Sequence, residues 1–198
     1  YATVTLGLPG TMLTEEFDDM YAGILSASSE YSVTIVGGDL VRSDNLFITI
    51  ALTGRVSNQV LKRNAAKVGD LIAVTGSLGG SIGGLKLLSE VDCDQTDRDV
   101  LSLIESHLWP EPRIKEGISL SDYGVVCAMD VSDGLISDLT KLCSSSHVSA
   151  QVTSESVPVH PCLPKVFTRD FRQMALTSGE EYELVFTGSP SILRELSG

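Results

Sequence analysis

The chain of 198 residues is 42% hydrophobic and 20% charged, which is ordinary for a globular protein of one large or two small domains. Its net charge of -12 argues against nucleic acid as a partner, because nucleic-acid binding depends on Lys and Arg neutralising phosphates. No apolar run approaches the roughly 20 residues that span a bilayer, and the start lacks the basic segment of a signal peptide. We therefore predict no membrane association and a cytoplasmic location.

The sequence pattern of the first 56 residues predicts one helix and three strands. Residues 1–8 alternate as a strand does but begin without a preceding turn, so we expect the domain to have started earlier. Thr14 opens a helix, a strand at 32–36 runs into a predicted turn at Gly37-Gly38-Asp39, and a longer strand covers 46–56. The apolar stripe of the helix consists of Phe17, Met20, Tyr21, Ile24 and Leu25.

The polar stretch at residues 58–70 carries the densest basic patch of the chain and is the predicted domain boundary. A strand at 71–75 then leads into a glycine-rich segment that opens a helix. These glycines lack the spacing of dinucleotide-binding and P-loop motifs, so close packing of that helix on a strand explains them better. The remaining predicted elements are helices at 97–108, 114–123 and from Leu135, strands at 125–129, 148–153 and before Gly188, and a last helix from Ser189.

The segment Asp130-Val131-Ser132-Asp133-Gly134 places two carboxylates and a hydroxyl where a buried strand gives way to a helix. Carboxylates three residues apart on a turn can share a divalent cation, and the start of a helix favours a nearby phosphate. The segment therefore indicates metal-nucleotide chemistry. A simpler interpretation is that Ser132 or Asp133 only caps the helix, but capping explains neither Asp130 nor the related Gly-Gly-Asp39 segment.

Other common site types have little support. Cys93, Cys127, Cys143 and Cys162 include no C-x-x-C pair, and the three histidines lie far apart, so neither structural zinc nor a disulfide framework is expected. An Asp-rich site would repel ATP unless divalent cations lay between them. The acidity of the chain thus suggests Mg²⁺ if the ligand is a nucleotide.

Six blocks of sequence occur in a fixed order along the chain. They are VGGD at 36–39, LKRNA at 61–65, VGDLIAVTG at 68–76, PEPR at 110–113, MDVSDGL at 129–135 and SGEEYEL at 178–184. In these blocks and their order the chain resembles the thiamine-monophosphate kinases, a family that belongs to the PurM-like superfamily of aminoimidazole ribonucleotide synthetase. The resemblance implies a two-domain, PurM-like α+β fold. Residues 1–57 would be the last part of a dimerising, ATP- and Mg-binding N-terminal domain, and residues 58–198 most of the C-terminal domain.

The resemblance also implies the activity and the site residues. The family phosphorylates thiamine monophosphate to thiamine diphosphate with ATP as co-substrate and several Mg²⁺ ions, as a homodimer. The implied metal ligands are Asp39, Asp130 and Asp133. The implied nucleotide contacts are Tyr21, Gly38, Asp39, Arg63 and Ser132, with Arg63 meeting phosphate, while Glu180 meets the thiamine substrate. The family usually has Gly and Asp where this chain has Ser178 and Glu181.

Asp130 and Asp133, acting through bound metal, and Arg63 are the predicted catalytic residues, and transfer is expected to be direct and in line, without a phosphoenzyme. Two alternatives stay open: another ATP-using enzyme of the superfamily, such as aminoimidazole ribonucleotide synthetase, and a non-catalytic Mg-ATP-binding module. Because further acidic loops and an aromatic substrate contact of the family would lie outside these residues, we expect the 198-residue chain alone to turn over weakly or not at all.

Overall fold

The computed structural model describes residues 1–56, 58–89 and 96–196, which form two compact units, Tyr1–Ser57 and Asn58–Gly198. Both units combine helices with a sheet, which confirms the predicted α+β class. The assignment of residues 1–57 and 58–198 to parts of two larger domains stays a prediction. Cys93 lies outside the described residues, within which no helix is long and apolar enough to cross a bilayer.

Unit 1 is a three-stranded sheet with one long helix. The central strand pairs in parallel with the second strand and antiparallel with the third, giving the order β2-β1-β3. The helix has the predicted stripe, with Phe17, Met20, Tyr21 and Ile24 half-buried and Leu25 exposed. The elements are β1 Ala2–Leu8, α1 Thr14–Glu30, β2 Ile35–Arg42 and β3 Phe47–Leu52.

The predicted turn at Gly37-Gly38-Asp39 is wrong, because β2 continues straight through these residues. Gly38 pairs with Val4 of β1, and Asp39 pairs with Thr5. Glycines followed by Asp are typical of turns when read locally, but here the neighbouring strand supplies the backbone pairing that keeps them extended. A side chain at Gly38 would overlap the carbonyl group of Val4. The glycine therefore permits close approach of two strands rather than a change of direction.

One face of this sheet carries exposed apolar side chains. Leu6 pairs with Leu40 on one side and Ile48 on the other, and Val4 pairs with Ile50, so these residues share a face. Leu40, Ile48 and Ile50 are 59%, 45% and 48% exposed. Val4 and Leu6 of the central strand are buried. Exposed apolar side chains that share one face of a sheet are typical of an interaction site.

Unit 2 is a three-stranded antiparallel sheet in the order β4-β6-β5, surrounded by helices. Its strands are β4 Leu71–Val74, β5 Cys127–Asp130 and β6 Leu184–Gly188. Its longer helices are α2 Gly80–Ser89, α3 Arg98–Leu108, α4 Ile114–Asp122 and α5 Leu135–Ser146. A 3-10 turn at Ser154–Ser156 precedes the shorter helices α6 Leu163–Val166, α7 Phe171–Thr177 and α8 Pro190–Leu196.

The sheet of unit 2 is covered on both faces. Val185 of the central strand packs in one buried cluster with Leu135 and Leu139 of α5. The next residue along the strand, Phe186, packs in another with Leu120 of α4 and residues of α8. Because side chains alternate along a strand, these clusters lie on opposite faces. Burial on both faces gives a rigid support for the segments that leave the strand ends.

Two predictions about unit 2 need correction. Residues 148–153 form no strand; after a left-handed residue at His147 they line a cavity of about 680 Å³ beside β4 and α5. This segment pairs with no described strand, although β4, an edge strand of the sheet, lines the same cavity. The glycine-rich helix packs closely on another helix rather than on a strand, since a side chain at Gly84 would lie 2.2 Å from the carbonyl oxygen of Leu103.

Candidate active site

The acidic turn, residues 130–134, lies between β5 and α5 as predicted. Asp130 and Asp133 are both exposed. The N-cap residue of α5 is Gly134, and α5 has no side-chain cap hydrogen bond. The interpretation of Ser132 or Asp133 as a simple helix cap is therefore wrong.

The sharp bend of the turn depends on Gly134. Its φ of 109° is in the range that favours glycine, and a side chain there would lie 2.8 Å from the carbonyl oxygen of Thr177. Beyond the bend, the ammonium group of Lys141 forms ion pairs with Asp133 and Asp138. Hydrogen bonds to these two carboxylates raise the pKa of Lys141. The turn thus carries its own internal counter-ion.

A second segment, which we call the glutamate loop (residues 178–183), is bonded along the acidic turn. The backbone N–H of Glu180 donates to the carbonyl of Ser132 at 2.9 Å, and that of Tyr182 donates to the carbonyl of Val131 at 2.9 Å. In return, the N–H of Val131 donates to the carbonyl of Glu183 at 2.7 Å. Two segments about 50 residues apart in sequence therefore form one surface.

Two bulky residues of the glutamate loop have left-handed backbones, Glu180 with φ 59° and Tyr182 with φ 53°. The hydroxyl group of Tyr182 donates to Oε2 of Glu180 at 2.6 Å. This hydrogen bond, partial burial and the charges of Glu180 and Asp130 raise the pKa of Tyr182. Asp130, Glu180 and Tyr182 are therefore electrostatic neighbours. Non-glycine residues with positive φ cluster at functional sites, where the surrounding structure holds them.

Glu181 makes different contacts from Glu180. Its Oε1 accepts the backbone N–H of Gly79 at 2.9 Å and the hydroxyl group of Ser178. Burial raises the pKa of Glu181, against the effect of these hydrogen bonds. Glu181 thus ties the loop to the segment before α2. Ser178 and Glu181, the two departures from the family pattern, contact each other.

Glu183 anchors the end of the glutamate loop. Arg113 donates two hydrogen bonds to its carboxylate, from Nε and Nη2, each at 2.7 Å, and Thr75 donates a third at 2.5 Å. The hydrogen bond to Glu183 raises the pKa of Arg113. Sequence reasoning missed this pair. The only signal was that PEPR and SGEEYEL are both blocks of the family pattern, without an indication that they meet.

The other predicted site residues are outside the acidic turn and the glutamate loop in sequence. Arg63, in unit 2, is exposed, and its carbonyl group accepts a hydrogen bond from Ser146 at 3.2 Å. Tyr21, Gly38 and Asp39 belong to unit 1. The Tyr21 ring stacks on Phe17 with centroids 5.7 Å apart, and Oδ1 of Asp39 accepts the N–H of Leu40 at 2.9 Å. The roles of all these residues stay predictions.

The acidic turn fits a cation that is only partly held by protein. Among residues 1–56, 58–89 and 96–196, no three His, Cys, Asp or Glu side chains form a group that could hold a metal ion. Mg²⁺ is usually bound by one or two carboxylates together with substrate phosphates and water. Exposed Asp130 and Asp133 provide oxygen ligands of the required kind for an ion that is also bound by a nucleotide.

Models of one protein family match both units. The model of AIR synthase related protein, N-terminal domain, matches residues 1–56, and that of AIR synthase related protein, C-terminal domain, matches residues 67–193. The second match alone covers more than half of the chain. The match extends to both units in the order expected from the sequence.

Individual relatives are thiamine-monophosphate kinases. The Bacillus subtilis (strain 168) enzyme is 33% identical over 189 residues, which are 94% of this chain and 58% of the enzyme. A structure described as AaThiL complexed with AMPPCP and TMP is 30% identical with a TM-score of 0.90, covering 96% of this chain and 62% of that one.

The thiamine-monophosphate kinase from Stenotrophomonas maltophilia K279a is also 30% identical, with a TM-score of 0.89, over 99% of this chain and 63% of its own. The chain thus spans about three fifths of the length of these relatives. The predicted PurM-like fold and the predicted family resemblance are both confirmed. The chain belongs to the AIR synthase related family, and within it resembles the thiamine-monophosphate kinases.

Proposed function

We propose that this chain is part of an enzyme that transfers the γ-phosphoryl group of ATP to thiamine monophosphate. The observation that carries the proposal is the single surface of the acidic turn and the glutamate loop, which presents Asp130, Asp133 and Glu180 from bonded backbones. The names of the relatives support it. A similar structure holds AMPPCP, an analogue of ATP, together with TMP.

The reaction brings two polyanions together, so its main demand is neutralisation of charge and in-line positioning. Bound Mg²⁺ would supply most of that neutralisation. Asp130 and Asp133 would hold the ion, Ser132 would contact the nucleotide and Arg63 would contact phosphate. An oxygen of thiamine monophosphate attacks the γ-phosphorus, the bond to the β–γ bridging oxygen breaks, and ADP leaves. The acceptor phosphate is already a nucleophile, so the chain needs neither a strong base nor a covalent intermediate.

The glutamate loop suits the other substrate. Thiamine carries a permanently cationic ring, which a carboxylate attracts. Glu180 is exposed, and its carboxylate is oriented by the hydroxyl group of Tyr182. This favours thiamine monophosphate over a neutral or anionic acceptor. We therefore assign Glu180 to substrate binding within the proposed function.

A homodimer is part of the proposal. The exposed apolar face of unit 1, with Leu40, Ile48 and Ile50, is of the kind that a second copy of the chain covers. Ile50→Lys would place a charge in that interface. Analytical ultracentrifugation should show a dimer for the wild type and a monomer for the variant. A monomeric wild type at micromolar concentration would contradict the dimer but not the reaction. A cytoplasmic location also stays a prediction.

The deciding experiment is transfer of labelled γ-phosphate from ATP to thiamine monophosphate with Mg²⁺, run on this chain and on its full reading frame. We expect labelled thiamine diphosphate from the full frame. Asp133→Asn should lower the rate by at least about a hundredfold, while Asp99→Asn, in an exposed ion pair of α3, should not change it.

Binding of Mg-ATP by the full reading frame without transfer to thiamine monophosphate would contradict the kinase assignment. It would leave a related enzyme such as aminoimidazole ribonucleotide synthetase, or a binding module, as the function. A phosphoprotein trapped by rapid quench would contradict direct transfer.

A further inference from the structure

A buried carboxylate lies directly behind the acidic turn. Asp138, in the first turn of α5, is 0% exposed. Its Oδ2 accepts the backbone N–H groups of both Ser132 and Asp133, each at 2.9 Å, and its Oδ1 accepts Nζ of Lys141 at 2.7 Å. An ionised carboxylate is costly to bury unless its oxygens are bonded in this way. Because both of its oxygens accept hydrogen bonds, Asp138 is a buried support for the backbone of the acidic turn.

In this support, the donor and acceptor groups stand in the opposite order along the chain from those of ordinary helix capping. A capping side chain normally precedes the helix and accepts the N–H groups of its first turn. Here the accepting side chain comes from inside α5, and the N–H groups belong to the turn that precedes the helix. The backbone of the turn is thus drawn toward the protein interior. The Ser132 hydroxyl and the Asp133 carboxylate are not used for capping.

We propose that Asp138 is a positioning residue for the nucleotide site. The inference rests on the proposed function, since it concerns how the chain presents Ser132 and Asp133 to a metal-nucleotide. Two hydrogen bonds to one ionised oxygen are strong and directional, and they fix two successive peptide groups. A site that holds a phosphate and its cation needs its ligands preorganised to within a fraction of an ångström. Asp138 provides that order without touching the ligand.

Lys141 completes the support. Its ammonium group contacts Asp138 from the solvent side and also pairs with Asp133, whose side chain is 64% exposed. It offsets one of the two negative charges and so makes the burial of Asp138 tolerable. The exposed carboxylate of Asp133 keeps access to solvent and to a ligand.

The test compares Asp138→Asn and Asp138→Ala with Asp99→Asn, a control from another Asp–Lys pair of the same 2.7 Å length. Electron paramagnetic resonance would measure the affinity for Mn²⁺ with AMPPCP of the full reading frame carrying each change, at a temperature where all the proteins are folded. We expect Asp138→Asn to weaken binding at least about tenfold, and Asp99→Asn to bind as the wild type does. Amide hydrogen exchange at Ser132 and Asp133 should become faster in both Asp138 variants only.

The possible binding results distinguish a failure of the positioning role of Asp138 from a failure of the proposed function. Wild-type binding with equal affinity in Asp138→Asn would overturn the positioning role and leave the proposed function standing. Absence of binding by the unsubstituted full reading frame would overturn both. If Asp138→Ala does not fold, Asp138→Asn, which preserves the shape of the side chain, decides the question. Weakened binding with faster exchange confined to the turn would establish the role, because a general loss of stability would accelerate exchange throughout unit 2.

Discussion

The two units hold their candidate site residues in different ways. In unit 1, Gly38 and Asp39 lie within a strand, fixed by parallel pairing with β1, and α1 has no fully buried residue. In unit 2, the acidic turn and the glutamate loop leave the sheet, and the buried carboxylates of Asp138 and Glu183 hold them from behind. Pairing with a neighbouring strand is enough to fix the backbone of a strand. The backbone of a turn that presents charged side chains is fixed by hydrogen bonds to buried polar groups.

The difference predicts which substitutions each unit tolerates. Unit 1 should be sensitive to the close approach of backbones and to what covers its apolar face. Unit 2 should be sensitive to the loss of a partner by a buried charge. The following changes test this contrast, from the largest expected effect to the smallest.

Arg113→Leu should be the most destabilising change in unit 2. It leaves the Glu183 carboxylate, whose side chain is 6% exposed, without its two guanidinium hydrogen bonds. Loss of one partner from a buried pair costs about 3–5 kcal/mol of unfolding free energy. Urea denaturation measures it. Glu111→Gln is the control, since Glu111 pairs with the same arginine but is 73% exposed, and should cost less than about 1 kcal/mol. Equal effects of the two changes would refute the anchoring role.

Gly38→Ala should disturb unit 1, whereas Gly37→Ala should not. A side chain at Gly38 would overlap the Val4 carbonyl, while one at Gly37 has nothing within 4 Å. We expect a loss of about 1–3 kcal/mol for Gly38→Ala, and a change within about 0.5 kcal/mol for Gly37→Ala. Thermal unfolding of the matched variants is the measurement. The close strand approach is refuted if both variants melt alike.

Ser178→Gly and Glu181→Asp should not be additive. The Ser178 hydroxyl group donates to the Glu181 carboxylate, so either change alone removes or lengthens that contact. A double-mutant cycle should give a coupling of about 1 kcal/mol. Ser178→Gly combined with Asp99→Asn serves as the uncoupled control. Additivity in both cycles would mean that the two departures from the family pattern are independent.

The pH dependence should be the smallest effect and should belong to unit 2 alone, because all three histidines lie there. Burial lowers the pKa of His160 from its ordinary value of 6.5. Near and below that value the unfolded chain binds more protons than the folded chain, so stability falls as the pH decreases through about 6.5.

His160→Gln should flatten this slope in denaturation experiments, and His147→Asn, at an exposed ring, should leave it as in the wild type. Amide protection factors in unit 1, which are corrected for the intrinsic effect of pH on exchange, should not follow the pH change. A slope unchanged by His160→Gln would assign the effect to other groups.

Local patterns were enough to predict much of the fold. The strand-to-helix position of Asp130 and Asp133 was confirmed, because a buried apolar run followed by a helical stripe is a short-range signal. Local patterns gave a wrong prediction, a turn, at Gly37-Gly38-Asp39, because pairing with β1 keeps these residues extended. Turn residues report local preference, and a neighbouring strand overrides it.

The supports of the site could not be predicted in this way. Arg113 meets Glu183 across 70 residues of sequence, and neither residue differs in type from an exposed ion-pair partner. Asp138 follows Asp133 by only five residues, but the apolar spacing of the helix around it does not indicate that its carboxylate is buried. Burial distinguishes these carboxylates from exposed ones, and burial is a property of the folded core.

Paramagnetic broadening of amide signals by Mn²⁺ with AMPPCP, recorded on the unsubstituted full reading frame, tests most directly whether the acidic turn holds the ion. We expect the signals of residues 130–134 and 180–182 to broaden first, because Asp130 and Asp133 are the proposed ligands and the glutamate loop is bonded to that turn. Broadening that spares the acidic turn and appears elsewhere would contradict it.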